Sequence, residues 1–406
     1  MVYNKDIGIK THPAVVPVYM AYQISKILAL LPVWGLAYGF SSKDRHASWS
    51  LGHTLMIKVL RRMHRMIEAT NTTILTRDPS SEPKRSELKD TEFRWIKWMP
   101  EDKRTGVLDF HKETAKDKVG TFIWKSGKED GLVGITLHGG GYLHLNAHEK
   151  APTSNIPKKL FSSGLFSQVY SVEYTLVGHG YFLDALLDVV SVIDDLISNQ
   201  GVDPSRIVVE GDSAGGHLSL AVARYLRDEK GVKLGGLLLL SPWCDPSIGF
   251  PLMHHKERPN SATDYLAEAK LNRAITVERF MVNCDKNTSG PGSGCQGCQD
   301  ERAAMDTKDE PGHLSVLSPY ISPSADQNET AERLFTDFPR TFISYGGLER
   351  LVDEIETLAR RMKRDGVDCK MNLAEEGVHD ILILTHWNED VRKAVWEDIF
   401  SWLKEV

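Results

Sequence analysis

Cysteine is scarce in this chain, and its distribution excludes a disulfide scaffold. Five occur in 406 residues, at Cys244, Cys284, Cys295, Cys298 and Cys369, an odd number with three in one stretch. A small secreted domain would need a dense, even set, so a reducing compartment fits better. The CxxC of Cys295 and Cys298, with Cys284 nearby, offers three thiols. No second CxxC or matched His pair follows to complete a zinc site. No metal and no other cofactor is therefore assigned. An excess of positive charge is also missing. The 49 Lys and Arg face 55 Asp and Glu, a net charge of −6, which excludes nucleic acid as the expected partner. No internal repeat argues for a solenoid. What remains, 41% hydrophobic and 26% charged residues, is the composition of a soluble globular protein.

Long uninterrupted apolar runs are absent as well. A spanning helix needs about 20 consecutive apolar residues. In "AVVPVYMAYQISKILALLPVWGLAYGF" (14–40), Pro17 and Pro32 bound a run too short to span, and Lys26 lies inside it. No small-residue cleavage pattern follows, so a signal peptide is not assigned. The expected location is intracellular, either cytoplasmic or peripherally associated with an internal membrane. In "SWSLGHTLMIKVLRRMHRMIEA" (48–69), Leu51, Leu55, Val59, Met63 and Ile67 read as one helical stripe. Lys58, Arg61, Arg62 and Arg65 cluster largely away from it. Two readings of residues 14–69 stand: lid helices packed over a pocket, or a basic amphipathic surface that meets an anionic membrane.

The pattern predicts residues 1–70 as N-terminal helices and 71–105, polar and rich in "RDPSSEPKRSE", as a loop-like connector. From about 106 short apolar runs alternate with helical ones. Strands are expected at 119–124, 132–138, 168–174, 206–211, 235–241, 340–346 and 369–375, with helices at 184–199, 214–229, 353–365 and 389–404. Most of the strands are continuously apolar, as strands covered on both faces must be. Alternation of the two predicts an α/β protein with a mostly parallel, twisted sheet flanked by helices. Residues 245–335 interrupt that order as an insertion carrying its own helical segment and the mobile-looking "NTSGPGSGCQGCQD".

The chemistry concentrates on Gly211-Asp212-Ser213-Ala214-Gly215, a G-x-S-x-G that follows a strand and opens a helix. So tight a turn strains the serine backbone, and only glycines let the flanking chain pass. Ser213 is the expected nucleophile, with the partial positive charge of the helix N-terminus facing a developing oxyanion. The proton acceptor should follow the nucleophile, with an acid between. His379 lies in the loop after the last strand; His386 is read as part of the following helix, His217 as too close to Ser213, and His254, His255 and His313 as part of the insertion. Glu349 sits nearest the end of the strand at 340–346, with Asp353 in reserve. Asp353 and Glu354 read equally as first-turn residues of a helix. "LHGGGY" (137–142) follows a strand, and its glycines bring main-chain amides close to a substrate oxygen. A phosphate cradle is the competing reading, but neither a P-loop Lys-Ser pair nor G-x-G-x-x-G follows.

HGGGY (138–142), GDSAGG (211–216) and His379-Asp380 together resemble the hormone-sensitive-lipase-like branch of the α/β-hydrolases over roughly 106–406. The resemblance implies the α/β-hydrolase fold, with a lid built from N-terminal helices and from the insertion before the acid loop. It implies that Gly140, Gly141 and Ala214 donate to the oxyanion. His138, Gly139, Gly211, Asp212 and Gly215 then support the two motifs. "ERLVD" (349–353) is similar to the family's acid-x-L-x-D pattern, with Glu349 where aspartate is commoner and 30 residues ahead of His379. The expected activity is hydrolysis of a carboxylic ester of an apolar small molecule, such as a lipid, sterol ester or secondary metabolite, through an acyl-enzyme. Amide or lactone opening by the same triad is the rival reaction. A ligand-binding protein on a hydrolase scaffold is the rival class.

Overall fold

The computed structural model describes residues 9–40, 46–70, 72–110, 116–128, 130–249, 259–266, 309, 311–312 and 314–406. Cys284, Cys295, Cys298, His254, His255 and His313, and with them most of the 245–335 insertion, lie outside the described residues.

Eight strands form one sheet: β1 (Glu92–Lys97), β2 (Lys118–Lys125), β3 (Leu132–Leu137), β4 (Phe166–Glu173), β5 (Ile207–Asp212), β6 (Gly236–Leu240), β7 (Thr341–Gly346) and β8 (Cys369–Ala374). Their spatial order is β1-β2-β4-β3-β5-β6-β7-β8. The first two pairings are antiparallel and all later ones parallel. Helices α4 (Phe182–Asp194), α5 (Ala214–Lys230) and α6 (Val352–Arg364) cover one face, while α3 (Asn155–Ser162) and α7 (Glu389–Leu403) cover the other. Alternate residues of a strand feed the two cores. Ile207 and Val209 of β5 pack on one side and Val208 on the other, which is why these strands read as unbroken apolar runs rather than alternating ones.

The polar connector conceals a strand. Within 71–105, β1 pairs with β2, so the sheet begins at residue 92 rather than near 106. "EFRWIK" carries charges at 92, 94 and 97, as an edge strand does, and they mask it in a search for apolar runs. Only Gly120 opposite Trp95 leaves room for the Phe93 ring, since a Cβ there would lie 2.7 Å from it.

Before the sheet, α1 (Val16–Phe40) and α2 (Leu51–Thr70) run antiparallel. Lys58 lies over the Tyr38 ring and Arg62 over the Trp34 ring. Pro32 does not end α1, because within a helix it forfeits one hydrogen bond and the flanking turns hold. The helix is therefore 25 residues, long and apolar enough by length and composition to cross a membrane, which corrects the expectation of a run too short. The stripe expected on α2 also differs. Residues four apart drift about 40° per step on a helix of 3.6 residues per turn, so Met63 is exposed and the buried face is Thr54, Ile57, Met66, Ile67 and Thr70.

Candidate active site

Ser213 stands between β5 and α5 with φ 50° and ψ −113°, a left-side conformation that costs an L-residue of order 1–3 kcal/mol. The neighbours make the turn possible. A Cβ on Gly211 would sit 2.3 Å from the Gly215 carbonyl, and one on Gly215 would sit 1.8 Å from the Leu137 oxygen. The first turn of α5 thus presses directly on the end of β3. The Ser213 amide donates to the Leu240 oxygen at 2.9 Å, and the Trp243 and His217 amides donate to the Ser213 oxygen.

His379 Nε2 is 2.9 Å from Ser213 Oγ, across 166 residues of sequence. Its Nδ1 faces Glu349 Oε1 at 3.7 Å, longer than a hydrogen bond, and neither atom has a hydrogen-bond partner among the described residues. Apo catalytic contacts are often long in this way and tighten around substrate. Glu349 is fully buried. Its Oε2 accepts from Ser241 Oγ at 2.6 Å and from the Gly346 amide at 2.8 Å. Asp353 is exposed at the start of α6, so the reserve acid lies apart. Its neighbour Glu354 accepts from the Cys244 and Asp245 amides. His386 lies in the turn before α7 rather than in the helix, because α7 starts at Glu389 behind the Asn388 cap. His217 is structural: Nδ1 meets Tyr142 Oη at 2.7 Å, and Nε2 donates to the Ile321 oxygen at 2.7 Å. Burial holds its pKa down at about 4.

Ser241, absent from the sequence reading, and Asp380, given no role of its own there, complete the surroundings. Ser241, at the end of β6 with φ 42°, donates to Glu349 and accepts from the Asp380 amide at 3.1 Å. Asp380, with φ 49°, places Oδ2 3.1 Å from His379 Nε2, the nitrogen that also faces Ser213. The only sequence signals are position: a hydroxyl closing an apolar strand, and a carboxylate adjacent to the histidine. Burial disfavours charge on His379, but Asp380 and then Glu349 outweigh it, and its pKa is raised well above 6.5. More buried carboxylates surround the site. Burial, reinforced by Asp380, raises Asp212, and burial with Asp212 and Asp380 raises Glu210. Burial lifts Asp264 to about 6.

The loop after β3 runs against the serine. Gly139 donates to Asp212 Oδ2 at 2.8 Å, and a Cβ on Gly139 would lie 3.1 Å from Ser213 Cβ. Gly140 and Gly141 take φ 104° and 61°, both favouring glycine. His138 stacks on Tyr174 with centroids 4.5 Å apart, and burial lowers its pKa to about 4. Tyr174 Oη donates to the His138 oxygen. All five loops that meet here, after β3, β5, β6, β7 and β8, leave the carboxyl ends of parallel strands, where open α/β sheets bind ligands.

Segments from the N-terminal region and from 259–266 close over this edge. Asn260 donates to the Gly347 and Glu349 oxygens, and the Tyr265 ring stands 6.0 Å from that of His379. Trp49 donates to the Glu376 oxygen and His53 stacks on Trp387, tying the start of α2 to the histidine loop. Past the end of α2, the Leu145 amide donates to the Ile74 oxygen beside the glycine loop.

A family model described as the alpha/beta hydrolase fold matches residues 135–289. Among solved structures, brefeldin A esterase, described as a bacterial homologue of human hormone-sensitive lipase, superposes with TM-score 0.54 at 19% identity, covering 88% of this chain and 86% of that one. EstE5 superposes with TM-score 0.56 at 18% identity, covering 87% and 97%. At these identities the likeness is one of fold, and the fold is that of the α/β-hydrolases. Curated relatives include neutral cholesterol ester hydrolase 1 of Rattus norvegicus, 25% identical over 302 residues, 67% of this chain and 73% of that protein. Esterase LipU of Mycobacterium tuberculosis is 25% identical over 252 residues, 61% and 70% of the two chains. The chain is a carboxylic ester hydrolase of this fold, similar to the hormone-sensitive-lipase-like carboxylesterases.

Proposed function

We propose that Ser213, His379 and Glu349 hydrolyse the ester of an apolar small molecule by acyl transfer. Ser213 Oγ attacks the ester carbonyl carbon while His379 Nε2 takes its proton. The tetrahedral oxyanion lies among the Gly140, Gly141 and Ala214 amides, a donor of this kind being worth about 3 kcal/mol. His379 returns the proton to the departing alkoxide, leaving an acyl-serine. Water, deprotonated by the same nitrogen, then releases the acid and restores Ser213. Glu349 holds Nδ1–H and so keeps Nε2 free to accept. The observation carrying this reading is the 2.9 Å approach of His379 Nε2 to a hydroxyl held on a strained elbow.

Ser213→Ala is expected to lose at least about 10⁴-fold in kcat on p-nitrophenyl butyrate and all labelling by a fluorophosphonate. Full esterase activity in that variant overturns the assignment. The name of the rat relative, a cholesterol ester hydrolase, supports a bulky apolar acyl or alcohol group. A survey of p-nitrophenyl esters of increasing chain length tests this. Preference for acetate over longer chains counts against it.

The α1–α2 hairpin and the segment 259–266 act as the lid of this site, and the hairpin also rests on a membrane surface. The outward face of α1 exposes Val18, Tyr22, Leu28, Val33, Leu36 and Phe40, Leu28 at 62% and Phe40 at 89%. Beside it, α2 carries Lys58, Arg61, Arg62 and Arg65, costly at a bilayer centre, which favours lying along the interface over spanning. Flotation of the full chain on phosphatidylcholine vesicles, lost when residues 1–45 are removed, is the expected result. A soluble full chain in that assay refutes it.

A further inference from the structure

Between α1, α2 and the loop after β7 lies a cavity of about 730 Å³ that the ester chemistry does not use. Among the described residues, Lys26, Arg61, Arg62, Arg65 and Arg350 line it against one acid, Glu68, in a chain whose net charge is −6. Arg61, Glu68 and Arg350 make further interactions, so the site rests on Lys26, Arg62 and Arg65. Arg62 leans on Trp34, with 5.2 Å from its guanidinium carbon to the ring centroid, and Lys26 leans on Tyr22 at 5.9 Å. Aromatic packing of the stems holds such heads in place without neutralising them.

We propose that this cavity binds the phosphate of an anionic phospholipid headgroup. Arginine forks match phosphate oxygens two at a time, and several converging on a concavity select for that group over an isolated carboxylate. The lipid source follows from the neighbourhood. Gln23 and Lys26 line the cavity, while Ile24 and Leu28 on the same turns are 47% and 62% exposed. A headgroup in the cavity therefore leaves its acyl chains along the apolar outer face of α1. Arg350 ties the cavity to the acid loop, being the residue after Glu349, with its amide donating to Asp264 at 2.7 Å. The proposal rests on the membrane-surface reading above and adds a defined headgroup site to it.

Thermal melting of the full chain with dihexanoylphosphatidylserine, dihexanoylphosphatidylcholine or inorganic phosphate, each below micelle concentration, tests the site without a bilayer. Stabilisation by the serine lipid, stronger than by the choline lipid whose headgroup has no net charge, is expected in the native chain, and its loss in Arg62→Gln/Arg65→Gln and in Arg65→Gln; equal stabilisation by the choline lipid overturns the requirement for an anionic headgroup. Equal stabilisation by inorganic phosphate overturns the lipid assignment, and no stabilisation, or stabilisation retained in the variants, overturns the site. In flotation, adding phosphatidylserine to phosphatidylcholine vesicles should raise binding of the native chain but not of the double variant. Each cavity cation removed should cost about fivefold, and Lys58→Gln, outside the cavity, much less. Equal losses for Lys58→Gln and Arg65→Gln overturn a built cavity in favour of diffuse surface charge. Failure of the native chain to float on any vesicle, with short-chain stabilisation intact, removes the membrane reading and leaves the pocket.

Discussion

Ser241→Ala isolates the support of the acid from the triad itself. Ser241 Oγ lies 2.6 Å from Glu349 Oε2, in a site where Glu349 is fully buried. A hydrogen bond to a charged group contributes about 1.5–3 kcal/mol. The Gly346 amide still donates to the same oxygen at 2.8 Å, so the carboxylate is not orphaned and the lower end applies. The remaining tie to His379 is already 3.7 Å long, so freeing the carboxylate weakens its hold on Nδ1. A loss of about 1.5 kcal/mol felt in the transition state is about tenfold in kcat. KM for p-nitrophenyl butyrate should not change, because Ser241 lies behind Glu349 and away from the ester. Ser241→Gly separates orientation from stability. With φ 42° at this position, glycine relieves backbone strain of about 1 kcal/mol, so the glycine variant should melt above the alanine variant. Both should lose the same tenfold in kcat. Native kcat in both variants, or a kcat loss that follows the melting temperature, refutes the reasoning.

Other outcomes follow from the same geometry. His379 must be neutral to accept the serine proton, and Asp380 and Glu349 hold its pKa above 6.5. Activity is therefore lost as pH falls through a midpoint above 6.5, and Asp380→Asn should move that midpoint down; a native midpoint at or below 6.5 refutes this. Gly215→Ala would drive a Cβ to within 1.8 Å of the Leu137 oxygen, and should destabilise by more than about 4 kcal/mol in urea unfolding. Arg361, fully buried, donates to the Pro323 and Ala325 oxygens and to Glu329. Arg361→Ala should cost about 3–5 kcal/mol in the same measurement, whereas Glu329→Gln, whose side chain is 45% exposed, should cost far less.

The α/β order was legible in the chain because its signals are local. Apolar runs of strand length, helical spacing between them and glycines flanking Ser213 all lie within a few residues of what they determine. The elbow is such a case: Gly211, Gly215 and Gly216 announce a turn that no side chain would permit. The strand at 92–97 was illegible because an edge strand keeps its charges, and its pairing with β2 lies over 20 residues away. Pro32 misled because a single lost hydrogen bond is easily carried by a 25-residue helix. Glu349 and Asp353 looked alike in sequence, four residues apart. Their separation into a fully buried carboxylate facing His379 and an exposed one depends on where β7 ends against β6 and β8, which is a property of the sheet. The same holds for Ser241 and Asp380, whose partners lie 108 and 139 residues away in sequence. Short-range pattern thus determined the elements and the nucleophile's turn. The surroundings of the imidazole, its raised pKa and the basic cavity beside it were decided only when distant loops met at one edge of the sheet, because charge and burial act through space rather than along the chain.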